Sequence, residues 1–277
     1  MKKFIIIILA CLVSFSALNA QNAPSLLINW NPETVATGGS SNDVAFAASS
    51  SKSDIDAVYG MWAPQSADNN IIAADASILL ADRFAIRVQG ANLKDNQSST
   101  GFNELGTPTG KFFPSELLVG AGFAYKINTA IAVGVDVKAL MAKYGENLSS
   151  NAYGADVSFA YSAKGLTAGV SVRNIGAKLP MLIRASGEYL VSGFRASAEV
   201  NYLLSGAIMA SVGAEYGIKD MVFLRAGYHY GDAAKAVPSF ASCGLGLKFF
   251  GVKLNAGYLL GSKTLGGTML FGLGYEF

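Results

Sequence analysis

The sequence predicts an all-β fold: a transmembrane antiparallel β-barrel of about fourteen strands, preceded by a short plug-like N-terminal segment. Three observations carry this prediction. Apolar side chains alternate with small or polar ones along most of the chain, tight turns alternate with longer connections, and tyrosines gather near the strand ends. The 277 residues are 51% hydrophobic and only 14% charged. No segment beyond the first twenty residues is apolar for long enough to cross a bilayer as a helix, so the apolar residues are spread over short strands.

The first twenty residues are predicted to be a secretory signal peptide. Lys2 and Lys3 precede an unbroken apolar run over residues 4–13, and mostly small residues follow it as far as Ala20. A charged region, an apolar region and a small-residue cleavage site in this order are typical of such peptides. We expect cleavage between Ala20 and Gln21.

The segment over residues 21–50 lacks the alternation of the rest of the chain. It contains an irregular stretch from Pro24 to Pro32, and a glycine–serine stretch over 38–41 follows. Only residues 44–48 have the pattern of a short strand. We therefore expect residues 21–50 to lie outside the barrel wall, as a plug in the lumen, and residues 51–277 to form the barrel.

The alternation is sustained from Asp54 to the end of the chain. The closing strand shows it well, with a wholly apolar face made of Met269, Phe271, Leu273, Tyr275 and Phe277. The apolar face should contact lipid and the small or polar face should line the lumen. A soluble β-sandwich also alternates, but its outer face would be richly charged, whereas charge is scarce here. The predicted strands lie near residues 54–62, 70–80, 83–93, 115–126, 130–141, 150–162, 166–173, 180–190, 194–203, 207–217, 221–230, 239–249, 252–260 and 268–277.

The connections between these strands supply an independent test. If the first strand starts at the periplasmic side, the even-numbered connections are tight turns, such as Ala81-Asp82 and Phe250-Gly251. The odd-numbered connections are mostly longer, and the longest covers residues 94–114. Short periplasmic turns alternating with longer outer loops are typical of outer-membrane barrels. Tyrosines at the strand ends fit the aromatic girdles of such barrels; they are Tyr125, Tyr161, Tyr189, Tyr202, Tyr216, Tyr228, Tyr258 and Tyr275.

Composition and motifs exclude several classes of function. A net charge of +2 indicates no nucleic-acid partner. His229 is the only histidine, no Gly-x-Ser-x-Gly motif accompanies it, and a metal site would lack a second imidazole. Once Cys11 leaves with the signal peptide, Cys243 has no partner for an intrachain disulfide. We identify no catalytic residue, metal ligand set or cofactor-binding motif, so the chain is predicted not to be an enzyme and to need no cofactor.

Several segments resemble the PorV/PorQ family of outer-membrane proteins. The most specific are Arg173-Asn174-Ile175-Gly176 and Arg225-Ala226-Gly227-Tyr228, and the stretches over residues 112–126 and 244–249 are similar as well. The resemblance covers most of the chain from about residue 112. It implies a barrel related to the long-chain fatty-acid transporter FadL and integral to the bacterial outer membrane. It also implies a role in type IX secretion, in which PorV-like proteins receive exported cargo and bring it to the surface-attachment machinery.

Three functions follow as hypotheses. The first is a component of type IX protein secretion or surface attachment, with a secretion translocon or an exported cargo protein as its partner. The second is a FadL-like passive channel for hydrophobic or small solutes, which a kinked or interrupted strand would favour. The third is a structural, porin-like barrel with no open path. In each case the expected partner in the wall is outer-membrane lipid, and we expect one barrel per chain.

Ionisable side chains at lumen-facing positions have two interpretations. They form a polar path or selectivity lining, or they form a lattice of paired charges that holds the N-terminal segment in place. We favour the lattice because both signs are interleaved and an unpaired charge is costly at low dielectric. The candidates are Asp136, Lys138, Asp156, Arg173, Arg184, Glu188, Arg195, Glu199, Glu215, Arg225, His229, Lys248 and Lys253.

The connection over residues 94–114 is the one long outer loop. Its four large apolar residues are Phe102, Leu105, Phe112 and Phe113. Loops of this length in compact domains are usually functional or disordered. These residues either dock a partner protein or cargo, or fold over the barrel mouth as a lid, and the sequence leaves both open.

Overall fold

The computed structural model describes residues 24–27, 29–39, 43–50, 52–62, 69–102, 107–145 and 149–277. The predicted signal peptide lies outside the described residues. Three short helices come first: α1 (Pro24–Leu27), α2 (Pro32–Ala36) and α3 (Val44–Ser49). None of the described helices has the length and apolarity to cross a membrane.

Sixteen strands follow the helices. They are β1 (Asp54–Trp62), β2 (Asn69–Leu80), β3 (Phe84–Asp95), β4 (Ser99–Phe102), β5 (Pro108–Phe112), β6 (Ser115–Lys126), β7 (Ile131–Lys143), β8 (Ser149–Ala163), β9 (Leu166–Ile175), β10 (Leu182–Val191), β11 (Phe194–Leu203), β12 (Ile208–Ile218), β13 (Val222–Gly231), β14 (Phe240–Phe249), β15 (Val252–Leu260) and β16 (Met269–Glu276).

Fourteen of these strands form one closed antiparallel barrel, which confirms the predicted fold class. Each barrel strand pairs with its neighbours in chain order, except that β3 pairs with β6. The barrel closes because β1 pairs with both β2 and β16, from Asp54 opposite Glu276 to Met61 opposite Met269. The predicted strands coincide with these fourteen to within a residue or two at each end, which is the usual uncertainty of strand boundaries. The strands β4 and β5, which the sequence analysis did not predict, form a separate hairpin within the long connection.

The tight turns have the backbone that two-residue hairpins require. Phe250 and Gly251 both have positive φ, 49° and 84°, and so do Ala81 and Asp82. This left-handed pair matches the twist of the flanking strands. Phe250 is fully exposed at the tip of its turn.

Residues 44–48 form helix α3 rather than the short strand suggested by the sequence, so that interpretation was wrong. A closed barrel has no free edge to which an extra strand could pair. A segment inside it must satisfy its own backbone hydrogen bonds, and a helix does this internally. Five of its six residues are alanine, valine or phenylalanine. The sixth, Ser49, donates its hydroxyl hydrogen to the Ala45 carbonyl at 3.1 Å, so the helix fits inside the barrel without unmet side-chain polar groups.

Candidate functional site in the barrel lumen

The helices of the N-terminal segment lie inside the barrel. Helix α2 packs against β13–β16, and α3 packs against β6–β8 and their neighbours. Glycines on the inner wall make the close approach possible. A Cβ atom at Gly213 would lie 2.3 Å from the Thr37 carbonyl oxygen, and one at Gly227 would lie 2.2 Å from the Gly38 nitrogen. Because real Cβ contacts are never this short, the segment fits only where the wall has no side chains.

The first ion cluster, which we call the Glu33 cluster, fixes α2. Asn31 caps this helix, since its side-chain oxygen accepts a hydrogen bond from the Glu33 amide at 2.8 Å. The Glu33 carboxylate lies 2.5 Å from an Arg195 nitrogen and 3.5 Å from one of Arg225. Both arginines also contact Glu215, Arg195 at 2.9 Å and Arg225 more closely still. Two carboxylates and two guanidinium groups therefore neutralise each other across the lumen.

The second ion cluster, the Asp43 cluster, fixes the start of α3. Asp43 lies 3.6 Å from Arg173 and 3.4 Å from Arg184. Arg173 continues to Asp156 at 3.2 Å, and the Lys138 amine reaches the same carboxylate at 2.7 Å. Every one of these side chains is at least four-fifths buried, so their pairing is what makes their charges tolerable in the interior.

A bulge between β8 and β9 shapes the Asp43 cluster. The strand register shifts between Ala155 and Val157, and Asn174 has a left-handed backbone with φ 59°. The Asn174 amide donates to Asp156 at 2.7 Å, and its side-chain oxygen accepts from Lys138 at 2.7 Å. Bulges re-aim side chains and are common near functional sites. The Arg173-Asn174 pair therefore belongs to the part of the wall that holds the N-terminal segment.

The two carboxylates of the N-terminal segment have perturbed pKa values. Burial alone would raise the pKa of Glu33, but the charges of Arg195, Arg225 and Lys253 outweigh it and lower the pKa from 4.5 to about 2. Burial also opposes ionisation of Asp43, and Arg184 and Arg173 overcome it, so the pKa of Asp43 lies below its usual value. Both carboxylates are therefore ionised at neutral pH, as their ion pairs with the wall arginines require.

Low pH should weaken the ion pairs between the N-terminal segment and the wall. A group with a lowered folded-state pKa stabilises the fold fully above its unfolded pKa and loses that contribution as pH falls through the folded value. For Glu33 this window runs from about pH 4.5 to about pH 2, and the loss is about 3 kcal/mol. We expect the free energy of unfolding in detergent to fall over this window. In Glu33→Gln it should start lower at pH 7 and depend less on pH. If the free energy of unfolding depended on pH equally in both proteins, the ionised Glu33 carboxylate would not stabilise the fold.

An apolar cluster fills the lumen at the end that carries the long connections. Leu26 of α1 belongs to it, and the Trp30 ring meets the Trp62 ring edge-on at a centroid distance of 5.6 Å. The connections contribute Leu179 and Val237. We call this group the outer apolar cluster; its other large members are Ile71, Leu93, Leu118, Leu140, Leu182, Leu203, Met209, Phe240, Leu259, Leu265 and Leu270.

A polar cavity of about 380 Å³ lies toward the opposite end, between the N-terminal segment and the wall of β1–β3. Its lining carries both signs of charge in paired form. Lys253 is 3.1 Å from Asp56, and Arg87 is 2.8 Å from Asp75. The lumen is thus asymmetric, with an apolar closure toward the long connections and a polar cavity toward the tight turns.

The structure brings most of the predicted lumen residues together at the N-terminal segment. The Glu33 cluster includes Arg195, Glu215 and Arg225, with Glu188 3.8 Å from Arg195. The Asp43 cluster includes Asp156, Lys138, Arg173 and Arg184, and Glu199 is 3.4 Å from Arg184. Lys248 pairs with Glu276 at 2.5 Å.

Four predicted lumen residues lie outside both clusters; they are Lys248 and Lys253, which pair with Glu276 and Asp56, and His229 and Asp136. His229 stacks on Phe240 with the ring centroids 4.9 Å apart, and its Nδ1 is 2.9 Å from the Ser211 hydroxyl. Asp136 is buried near the Asp43 cluster, and its Oδ1 has no hydrogen-bond partner among the residues that the structure describes. Neither His229 nor Asp136 contacts the carboxylate of Glu33 or Asp43 in an ion pair.

Within the two ion clusters, the residues not predicted from the sequence are Glu33 and Asp43. Each lies at the start of a helix, and a local signal was available. Asn31 precedes Pro32 and Glu33 as a helix cap followed by proline at the first position, and Asp43 precedes the apolar run of α3. The partners of these carboxylates lie more than a hundred positions away in the chain, so no local pattern could have named them.

The four apolar candidates of the long outer loop differ in burial and in whether the structure describes their side chains. Phe112 is buried, whereas Phe113 is 45% exposed and lies under the Lys94 amine, 5.2 Å from its ring centroid. Leu105 lies outside the described residues, and for Phe102 only the backbone in β4 is described. Phe113 is thus the one member of this set whose side chain is seen on the surface. Across the described chain, no group of three or more metal-binding side chains comes together.

Comparison with known proteins finds similarity in structure only. No protein-family model matches the chain, and no curated protein sequence matches it. The toluene transporter TbuX of Ralstonia pickettii superposes with a TM-score of 0.62 at 11% identity, over 90% of this chain and 98% of TbuX. A triple mutant of the Rhodopseudomonas blastica porin gives a TM-score of 0.46 at 9% identity, over 82% of this chain and 99% of the porin.

The similarity to TbuX covers nearly the whole of both chains, so the two proteins share the complete barrel rather than a single hairpin. At 11% identity, this similarity shows a shared fold and nothing more. The chain therefore has the same closed-barrel fold as TbuX.

Proposed function

We propose that this protein is an integral barrel of the bacterial outer membrane that works as a non-enzymatic, PorV/PorQ-like component of type IX secretion or surface attachment. The observation that supports it best is the closed lumen. The N-terminal segment is ion-paired to the wall through Glu33 and Asp43, and the outer apolar cluster fills the space beyond it. A barrel held shut by this many buried pairs is suited to binding proteins at its ends rather than to passing solutes.

The long connection offers the binding surface for this function. It contains the separate β4–β5 hairpin, and Phe113 directly after this hairpin is an exposed aromatic side chain. Aromatic side chains are enriched at the centres of protein interfaces because they bury a large area at a small entropy cost. The buried Phe112 anchors the base of the hairpin, so the exposed ring is held on a defined support.

Deletion of the gene should reduce type IX cargo among the secreted and surface-attached proteins. A chain that lacks residues 97–109 should fold as a barrel but fail to restore secretion. It should also fail to co-purify a secretion translocon or cargo C-terminal domain. Heat-modifiable migration in gel electrophoresis checks that the shortened chain still folds. An intact secretome after gene deletion would refute the export function, and full restoration by the shortened chain would refute docking at the hairpin.

A passive channel for hydrophobic solutes is the second candidate, and one observation favours it. The polar cavity and an apolar groove on the outer surface share wall residues of β1–β3, among them Val58, Ala73 and Ala91. The wall there consists of backbone and small side chains, and TbuX, whose fold is similar, is a toluene transporter. However, the β1–β2 and β2–β3 ladders run without interruption. Uptake of toluene into liposomes that contain the purified protein, above that of protein-free liposomes, would favour the channel over the export component.

A further inference from the structure

We propose that the outer wall over β1–β3 binds a phosphate-bearing anionic lipid. One of its acyl chains would lie in an apolar groove, and its headgroup would lie at the lysines above that groove. The groove has a volume of about 720 Å³ and almost no polar lining. The strand register places its floor residues side by side, Ala57 opposite Ala74 and Ala74 opposite Gly90. The inference goes beyond the proposed function and uses only its premise that the barrel is embedded in a membrane.

Large exposed side chains border this floor. Tyr59 and Ile72 form the next outward-facing row and are 50% and 64% exposed. Leu273, beside Ala57, is 57% exposed. The methyl groups and the one glycine between these large side chains form the floor of the groove. An empty groove would leave this floor without dispersion contacts, and a flexible acyl chain can supply them.

Polar groups replace apolar ones directly above the groove. Asn92 lies opposite Ile72, and the next outward-facing residue of β3 is Lys94. Lys94 lies opposite Asn70 on one side and Ser115 on the other. Asn92 and Lys94 are exposed. From the groove along β3 toward Lys94, the outer wall therefore changes from apolar side chains to amide and hydroxyl groups and then to a positive charge.

A second lysine extends the basic edge. Lys143 of β7 lies opposite Ser115, so it is two strand spacings from Lys94, about 10 Å. Among the described residues neither lysine forms an ion pair with a carboxylate, whereas the lumen lysines Lys138 and Lys253 do. Lysines at a membrane surface attract anionic headgroups. The occupant of the groove must be apolar along its length and negatively charged at one end, which is the chemistry of an anionic lipid.

Native mass spectrometry of the detergent-purified full chain tests this proposal, with phosphatidylglycerol as the anionic probe and phosphatidylcholine as the zwitterionic one. We expect wild-type protein to retain phosphatidylglycerol preferentially. The pair Lys94→Gln and Lys143→Gln should weaken that binding by roughly tenfold or more and leave phosphatidylcholine unaffected. The exposed pair Lys235→Gln and Lys263→Gln, elsewhere among the long connections, is the matched control and should change nothing.

Gly90→Leu tests the acyl-chain part. A Cβ atom there meets only the Leu118 carbonyl oxygen, at 3.8 Å, so the wall accepts the side chain while the groove is filled. Binding of both lipids should fall. Gly187→Leu, an outward-facing glycine of β10 with equally free space, is the control. Equal retention of the two lipids by wild-type protein would overturn the proposal. Unchanged binding in Gly90→Leu, or a stoichiometric membrane protein found in the groove instead, would do the same.

Discussion

Valine at both Gly213 and Gly227 is expected to expel the N-terminal segment from the lumen while leaving the barrel closed. These glycines are cross-strand partners on β12 and β13. Added Cβ atoms would lie 2.3 Å from the Thr37 carbonyl oxygen and 2.2 Å from the Gly38 nitrogen. The clashes are with backbone atoms, which cannot rotate away as the end of a flexible side chain can. Valine itself is favourable in strands, so the strain falls on the segment rather than on the wall.

Two measurements should detect this change. In the folded wild-type protein we expect residues 29–39 of the segment to resist proteolysis. We also expect planar bilayers that contain the protein to show no steady conductance. In the double-valine variant we expect cleavage within these residues and a steady conductance. The loss of Leu26 and Trp30 from the outer apolar cluster should weaken that closure as well.

The control for the double-valine variant is Gly187→Val. The nearest heavy atom to a Cβ at Gly187 is 3.7 Å away, so this variant should behave as the wild type. Heat-modifiable migration should show a folded barrel in all three proteins. A double-valine variant that stays protease-resistant and closed would contradict the geometry on which the closed lumen depends.

Arg225→Met should destabilise the folded protein strongly, by about 3–5 kcal/mol. The Arg225 side chain is 3% exposed and contacts Glu215, Glu33 and the Asn255 side-chain oxygen, the last at 2.8 Å. Methionine keeps much of the volume but leaves two carboxylates short of a partner in a buried place. The cost is the desolvation of those charges rather than the loss of one attraction.

Urea unfolding in detergent, followed by tryptophan fluorescence, would measure this effect. Adding Glu215→Gln to Arg225→Met should recover part of the stability, because the pair is coupled and the second change removes one unpaired charge. The exposed Arg83→Met serves as the control and should stay within about 0.5 kcal/mol of the wild type. If Arg225→Met lowered the free energy of unfolding no more than Arg83→Met does, the Glu33 cluster would not stabilise the folded barrel.

Much of the fold could be predicted from the sequence, and the candidate site only in part. Strand positions such as those of β6 and β11 follow from a period of two in side-chain character, which is a local property of the chain. The lumen charges could be named for the same reason. Their pairing with the N-terminal segment could not, because it depends on which wall glycines leave room for α2 and α3.

The sequence by itself determined the barrel and the positions of its strands. Only the tertiary structure decided that residues 44–49 are helical, that Glu33 and Asp43 face four arginines, and that the N-terminal helices pack against the inner wall of the barrel. The physical reason is distance along the chain. Alternation is decided between neighbouring residues, whereas the pair of Arg195 with Glu33 spans 162 positions and exists only once the barrel has closed around the segment.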